Sequence, residues 1–444
     1  MRFEDRIGPA FGADAPTYPE TGQVPQWYRD AKLGIFVHWG LFSLPAWADL
    51  HRDAAGQPEA VAEEQSYLRH RYAEWYANTV RIPGSTARTR HERLYGVGTS
   101  YEDFADHWRA EAFDAEALVD QLAATGAGYI VPVTKHHDGF CLWDTRTTGF
   151  NSARRGPGRD LIAELHDATR RAGLRFGTYY SGGHDWHVSP HPPITSDVEL
   201  FTHRRNDPAF AQYCADQLRE LVESFAPDVL WNDIEWPDGG KGTEDYGLAA
   251  LLAEYFRRVP DGVVNDRWGV PYHGYLTREY IAVDGAQPQV WEATRGIGHS
   301  FGYNQDEDES ESLSGAEVVR YLVDTVSKNG NLLLNVGPRA DGILPQVQSR
   351  VLEELGQWWS VNASAIAGTR PWIRPHDGAV SYTAGANGEV YLISRDPAAG
   401  RMHIPPELQG RRLRVVGGSE VEPDHDGEVE IPRLGPAVAV VAAP

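Results

Sequence analysis

The sequence predicts a parallel (β/α)8-like barrel followed by a small antiparallel β-sandwich. Three observations carry this. Short apolar runs alternate with amphipathic helical patterns over most of the chain. Polar residues gather at the C-terminal ends of those runs. Beyond residue 368 the pattern changes to short strands separated by Gly, Pro and Asp. Repeated strand–helix units build a parallel sheet. In a (β/α)8 barrel the C-terminal edge of the strands is the active-site face. An open doubly wound sheet is the rival architecture, but no glycine fingerprint for a nucleotide follows any of the runs. The expected domains are residues 1–368 for the barrel and 369–444 for the sandwich.

The elements follow in order. GIFVHWG (34–40) is the first strand and delivers His38. The charged insertion at 50–72 is expected to lie over the site as a loop. GYIVPVTKHH (128–137) delivers His136 and His137, LRFGTYYSG (174–182) Tyr179, DVLWND (228–233) Asp233, and GVVNDRWG (262–269) Arg267. QVWEATRG (289–296) and NLLLNVGP (331–338) complete the runs. Segments 115–127, 161–173, 209–226, 248–259 and 314–330 carry apolar residues at helical spacing. A helix over 345–367 stops at Gly368. RPWIRPHDG then reads as linker. AVSYTA, EVYLIS, RMHIP, RLRVV, EVEI and AVAVVA read as the sandwich strands.

Composition narrows the function. The chain has 444 residues, which fits one catalytic unit plus a smaller module. Its net charge is −22, from 63 acids against 41 bases, which repels phosphate backbones and argues against nucleic-acid binding. No apolar run reaches the length of a membrane span, so no membrane association is expected. The stretch MRFEDRIGPAFGADAP lacks a basic segment followed by an apolar one, so a cytoplasmic location is expected. Cys141 and Cys214 are too few for a disulfide framework and are expected as reduced thiols.

The strand DVLWND sorts its own carboxylates. Side chains alternate, so Val229, Trp231 and Asp233 share a face. Asp228 opens the strand at the end remote from the site, and Asp233 closes it at the catalytic end. Glu235 keeps the parity of Asp233 if the extended chain continues. An apolar strand that delivers an acid beside a tryptophan points to chemistry. His136 and His137 can reach one site only where their strand curls. No HExxH or comparable ligand spacing accompanies them, so hydrogen bonding to hydroxyls is the expected role and no metal is assigned. Arg267 follows Asp266 directly. Neighbours on a strand rarely pair, which points Arg267 toward the site.

These stretches together resemble the α-L-fucosidases of glycoside hydrolase family 29. The resemblance rests on WYRDAKLGIFVHWGLFSLPAWA, YAEWYANTVRI, TKHHDGFCLWDT, FNSARRGPGRDLI, GLRFGTYYSGGHDW, PDVLWNDIEWP, VNDRWGVP, ATRGIGHSFGYN and LVDTVSKNGNLLLNVGP, in collinear order through residues 20–368. It implies an exo-acting retaining α-L-fucosidase with Asp233 as nucleophile. It implies a general acid/base glutamate shortly after the RWG motif in a Thr-x-Glu-Tyr context, here Glu279. Glu292 and Glu235 are the rivals for that role. The implied fucose contacts are His38, Glu74, Trp75, His136, His137, Tyr179, Trp231, Arg267 and Phe301, with Trp75 and Phe301 facing the 6-methyl group. The implied partner is a fucosylated oligosaccharide or glycoside, and no cofactor is expected. A non-catalytic fucose-binding protein on the same scaffold is the alternative. The preferred linkage and the oligomeric state are left open.

Overall fold

The structure, a computed structural model, describes residues 17–18, 20–52, 57–433 and 435–444. The N-terminal stretch 1–16 and residues 53–56 of the charged insertion lie outside the described residues.

Eight strands form one curled sheet: β1 Leu33–Val37, β2 Tyr129–Lys135, β3 Arg175–Ser181, β4 Val229–Asp233, β5 Val263–Val264, β6 Leu276–Glu279, β7 Trp291–Gly296 and β8 Gly330–Val336. Their order is β5-β4-β3-β2-β1-β8-β7-β6, and all paired neighbours are parallel. β5 and β6 share no ladder. Their seam is instead bridged by single bonds. Gly274 and Tyr275 donate to the Val264 carbonyl at 2.9 and 3.3 Å. The Asp266 carboxylate accepts from the Thr277 amide and hydroxyl at 3.0 and 2.7 Å.

Strand parity builds two apolar layers. Phe36, Tyr129, Val131, Val133, Tyr179, Val229, Trp231, Val263 and Leu333 fill the interior of the curled sheet. Alternate residues such as Ile35, Val37, Ile130, Phe176, Leu230, Leu332 and Leu334 pack against the helices outside. The interior is tight enough that a Cβ on Gly34 would sit 2.3 Å from the Tyr129 ring. Helices begin where the sequence supplies a cap. Asp114, Asp160 and Asp207 each accept a backbone N–H of the first turn, and Ser314 with Glu317 forms a reciprocal capping box.

The expected barrel strands form, except that the run 262–269 is strand only at Val263–Val264 and leaves Arg267 in the turn beyond it, and β6 is added to them. The segment read as linker is a correction: Arg370–Asp377 is a strand paired antiparallel with Val380–Ala384. It lies at the edge of a six-stranded sheet, where prolines at 371 and 375 are tolerated because no neighbour demands their missing N–H groups. A two-stranded sheet, Arg401–His403 with Glu428–Glu430, packs Met402 and Val429 onto Tyr382, Leu392 and Val440 of the larger one. No helix among the described residues is long and apolar enough to cross a membrane.

Candidate active site

Every residue assigned to the site from the sequence lines one cavity of about 340 Å³ at the C-terminal ends of the strands. Phe36, Tyr72 and Thr294 line it as well. Part of that space is open to solvent, and the enclosed part is much smaller. It suits one sugar ring rather than a chain of them.

Asp233, the last residue of β4, is held from three directions. Tyr179 donates its hydroxyl to Oδ2 at 2.9 Å, Arg267 Nη1 donates to Oδ1 at 3.0 Å, and the Ile234 amide donates to Oδ1 at 3.0 Å. Arg267 also donates through Nη2 to Glu279 Oε2 at 2.8 Å, and through Nε to Thr277 at 3.1 Å. One guanidinium therefore bridges the two expected catalytic carboxylates. Its plane lies over Trp231, with the central carbon 4.7 Å from the ring centre. Burial alone would lower the Arg267 pKa, but the Glu279 and Asp233 charges raise it overall. Asp266 does not compete for it as a partner: Asp266 is engaged by Thr277 across the seam.

The histidines are neutral acceptors. Asn335 donates its amide to the Phe301 carbonyl at 2.7 Å, so its Oδ1 takes a proton from His38 Nδ1 at 2.6 Å. Ser181 donates to the His184 carbonyl at 2.8 Å, so its hydroxyl accepts from His137 Nδ1 at 2.7 Å. Both rings therefore carry their proton on Nδ1 and keep a lone pair on Nε2. His137 Nε2 lies 3.7 Å from Asp233 Oδ2, close to that carboxylate without donating to it. Burial pulls His38 down to about 3 and holds His136 and His137 well below the usual range, with neighbouring rings such as His38 and His184 lowering the latter two further. His136 Nδ1 is buried and has no hydrogen-bond partner among the described residues.

Glu74 is held differently from Asp233 and Glu279. It is 2 % exposed, and its Oε2 accepts from Ser300 at 3.1 Å and from the Gly302 amide at 2.8 Å. Burial nonetheless pushes it up to about 7, so near neutrality it can donate as well as accept. Trp75 is fixed by stacking on His70 at 4.8 Å, and the insertion that supplies His70 also places Tyr72 in the cavity wall. Phe301 meets His38 at 5.0 Å and Tyr72 at 5.8 Å.

The remaining carboxylates separate cleanly. Asp228 is clamped by Arg170 at 2.5 Å and Arg175 at 2.7 Å, at the opposite end of the strand. Asp238 is exposed and paired with Lys241 at 2.7 Å. Glu292 lies below the cavity floor and accepts from Tyr28, Tyr129 and Trp231 at 2.8, 2.6 and 3.0 Å. It fixes Trp231 and does not line the cavity. Glu235 does not line it either: Ile234 and Glu235 have φ of 56° and 71°, which breaks the extended parity assumed from the sequence. Thr294 and Asn335 were missed, although both lie within two residues of the C-terminal end of a strand, β7 and β8, as Tyr179 does in β3.

A parallel barrel that gathers two carboxylates around one arginine, with hydroxyl-accepting histidines in a pocket for a single ring, defines a glycoside hydrolase. The model for the family "Alpha-L-fucosidase" matches residues 15–364. Human plasma alpha-L-fucosidase is 33% identical over 416 residues, covering 90% of this chain and 81% of the relative. A putative alpha-L-fucosidase of Caenorhabditis elegans is 33% identical over 369 residues, 81% of this chain and 70% of the relative. The structure of Thermotoga maritima alpha-fucosidase in complex with fucose superposes with a TM-score of 0.84 at 39% identity, covering 95% of this chain and 97% of that one. Alpha-L-fucosidase isoenzyme 1 of Paenibacillus thiaminolyticus gives 0.75 at 27% identity, over 94% and 98%. The chain belongs to the α-L-fucosidase family, glycoside hydrolase family 29.

Proposed function

We propose that this enzyme is an exo-acting retaining α-L-fucosidase that releases terminal fucose from fucosylated oligosaccharides or glycosides by double displacement. The observation that carries the proposal is the shared guanidinium of Arg267, bonded to Asp233 at 3.0 Å and to Glu279 at 2.8 Å. Two carboxylates gripped by one guanidinium suit the roughly 5–5.5 Å spacing of retaining enzymes better than the roughly 6.5–9.5 Å of inverting ones.

In the first step an oxygen of ionised Asp233 forms a bond to the anomeric carbon. The bond to the aglycone oxygen breaks, and that oxygen takes a proton from Glu279. In the second step Glu279, now a carboxylate, removes a proton from water as the water oxygen attacks the same carbon and Asp233 leaves. Asp233 is the anion before the first step and Glu279 is the anion after it. Arg267 thus faces one catalytic anion at each stage and need not move far to serve either. Neutral His38 and His137 accept sugar hydroxyls through Nε2, and protonated Glu74 can donate to one. Phe36, Trp75 and Phe301 offer apolar surface to the 6-methyl group. A methyl discriminates by only about 1–3 kcal/mol, so slow action on analogues lacking it is expected.

Two measurements test this. Asp233→Gly should lose turnover of an aryl α-L-fucoside and regain part of it with azide. Proton NMR of the wild-type reaction should show α-L-fucose as the first product. Initial release of the β-anomer defeats the retaining mechanism, and near-normal activity in Asp233→Gly defeats the nucleophile assignment.

A further inference from the structure

We infer that Glu235 is a positioning residue: its buried ion pair with Arg204 and Lys241 holds the left-handed turn that aims Asp233 and Arg267 at one another. The inference rests on Asp233 being the nucleophile.

The turn is unusual on three counts. Ile234 and Glu235 are consecutive non-glycine residues with φ of 56° and 71°, and Ile234 is β-branched. Such residues occupy this region only where the surroundings over-determine it. Secondly, the chain around them is stripped to backbone. A Cβ on Gly183 would lie 2.1 Å from the Ile234 carbonyl oxygen, one on Gly182 3.0 Å from the Glu235 carbonyl oxygen, and one on Gly269 2.9 Å from the Glu235 side chain. Three glycines thus make room for a turn in which two consecutive non-glycine residues take a conformation that only glycine adopts without strain. Thirdly, the side chain that occupies this costly position is buried and doubly paired. Glu235 Oε2 accepts from Arg204 at 2.9 Å and from Lys241 at 3.2 Å, and the three side chains are nearly inaccessible.

The turn connects directly to the chemistry. Its left-handed conformation turns the Ile234 amide back onto Asp233 Oδ1. The Glu235 amide and the Asn232 side chain both donate to the Arg267 carbonyl, at 3.0 and 2.8 Å. Arg204 holds the same turn through the Ile234 carbonyl at 3.2 Å. Loss of the Glu235 charge therefore loosens the nucleophile and its arginine together. The fucose-reading groups His38, Glu74 and Phe301 sit on other segments, after β1, in the turn Ala73–Trp75 and in the loop after β7, and should keep their places.

The test compares Glu235→Gln with the double variant Glu235→Gln/Arg204→Met. The double variant removes the charge with its partner, keeps a non-glycine residue in the strained turn, and leaves Lys241 paired to Asp238. It guards against the chance that Glu235→Gln does not fold, because no new unpaired buried arginine remains in it. The readouts are kcat and KM on an aryl α-L-fucoside, inhibition by free fucose, and the unfolding midpoint. The inference expects kcat to fall on the order of 10²-fold in the double variant, with the fucose inhibition constant and the midpoint close to wild type. Wild-type kcat in either folded variant overturns it. A matched loss of kcat and fucose affinity also overturns it, since that marks general disruption. Failure of the nucleophile assignment is distinguishable, because only Asp233→Gly with azide reports on it.

Discussion

Glu74→Gln should make the enzyme more resistant to unfolding at alkaline pH than at acid pH, relative to wild type. The Glu74 carboxyl is almost inaccessible, and burial raises it from 4.5 to about 7. Below about pH 4.5 it is protonated in folded and unfolded chains alike and has no effect on stability. Between that pH and about 7 the unfolded chain releases the proton while the folded protein keeps it. Stability is therefore lost as pH rises, by about 1.4 kcal/mol per unit. The loss levels off above the folded value at about 3 kcal/mol. Glutamine cannot ionise. Its carbonyl oxygen can accept from Ser300 and Gly302 as Oε2 does, and its amide can stand in for the protonated oxygen. Glu307, on the loop that supplies Ser300 and Gly302, is raised to about 8, first by burial and in part by Glu74 itself, so its own decline is eased in the glutamine variant and widens the gap in the same direction. Urea unfolding of both proteins at intervals from pH 4.5 to 8 measures the difference. The gap between them should widen by about 3 kcal/mol in favour of glutamine. A gap that stays constant within about 0.5 kcal/mol refutes the claim that Glu74 is held neutral by burial.

Two further predictions separate the carboxylates by role. Glu279→Ala should slow hydrolysis of natural fucosyl disaccharides far more than that of aryl fucosides with good leaving groups, because only the former need protonation of the departing oxygen. An equal loss on both would remove Glu279 from the acid role. Glu292→Ala should lower the unfolding free energy by at least about 3 kcal/mol, since it strands three buried donors at once. Glu292→Gln, with the carboxyl gone but most of the shape kept, should still release fucose; loss of turnover in that folded variant would return Glu292 to contention as the acid/base.

How far the sequence alone reached is best judged residue by residue. The barrel was legible because seven of its runs are buried and apolar, and their polar ends mark one rim. β6 was not, although it carries Glu279. Its four residues, Leu-Thr-Arg-Glu, hold one apolar side chain, and only Thr277 is fully buried. A strand at an unladdered seam need not bury both faces, so it leaves no apolar run to read. Glu279 was instead reached through the motif around it. The helix Thr86–Tyr95 was missed for a related reason: of its ten residues only Ala87 and His91 are buried, too narrow a stripe to register as a periodicity. The strand Arg370–Asp377 was hidden by prolines that an edge position permits.

The candidate site shows where pattern reasoning stops. Parity along DVLWND picked Asp233 and Trp231 because an extended chain has a period of two. The same rule put Glu235 on their side, and there it failed, because two left-handed residues intervene. Nothing local in Ile234-Glu235 announces that conformation: neither is glycine, asparagine or aspartate. The signal lies in partners distant in sequence, in Gly182, Gly183 and Gly269 that leave space and in Arg204 and Lys241 that hold the charge. The histidines make the same point. His38 was found as a strand-end residue, but its role as an acceptor depends on Asn335, 297 residues away. Residue types at strand ends tell which groups can reach the substrate. Protonation state and aim are set by contacts between strands. They become readable only when the barrel is assembled, which is why Asp233 could be chosen from one strand while the rejection of Glu235 needed residues from several separate segments.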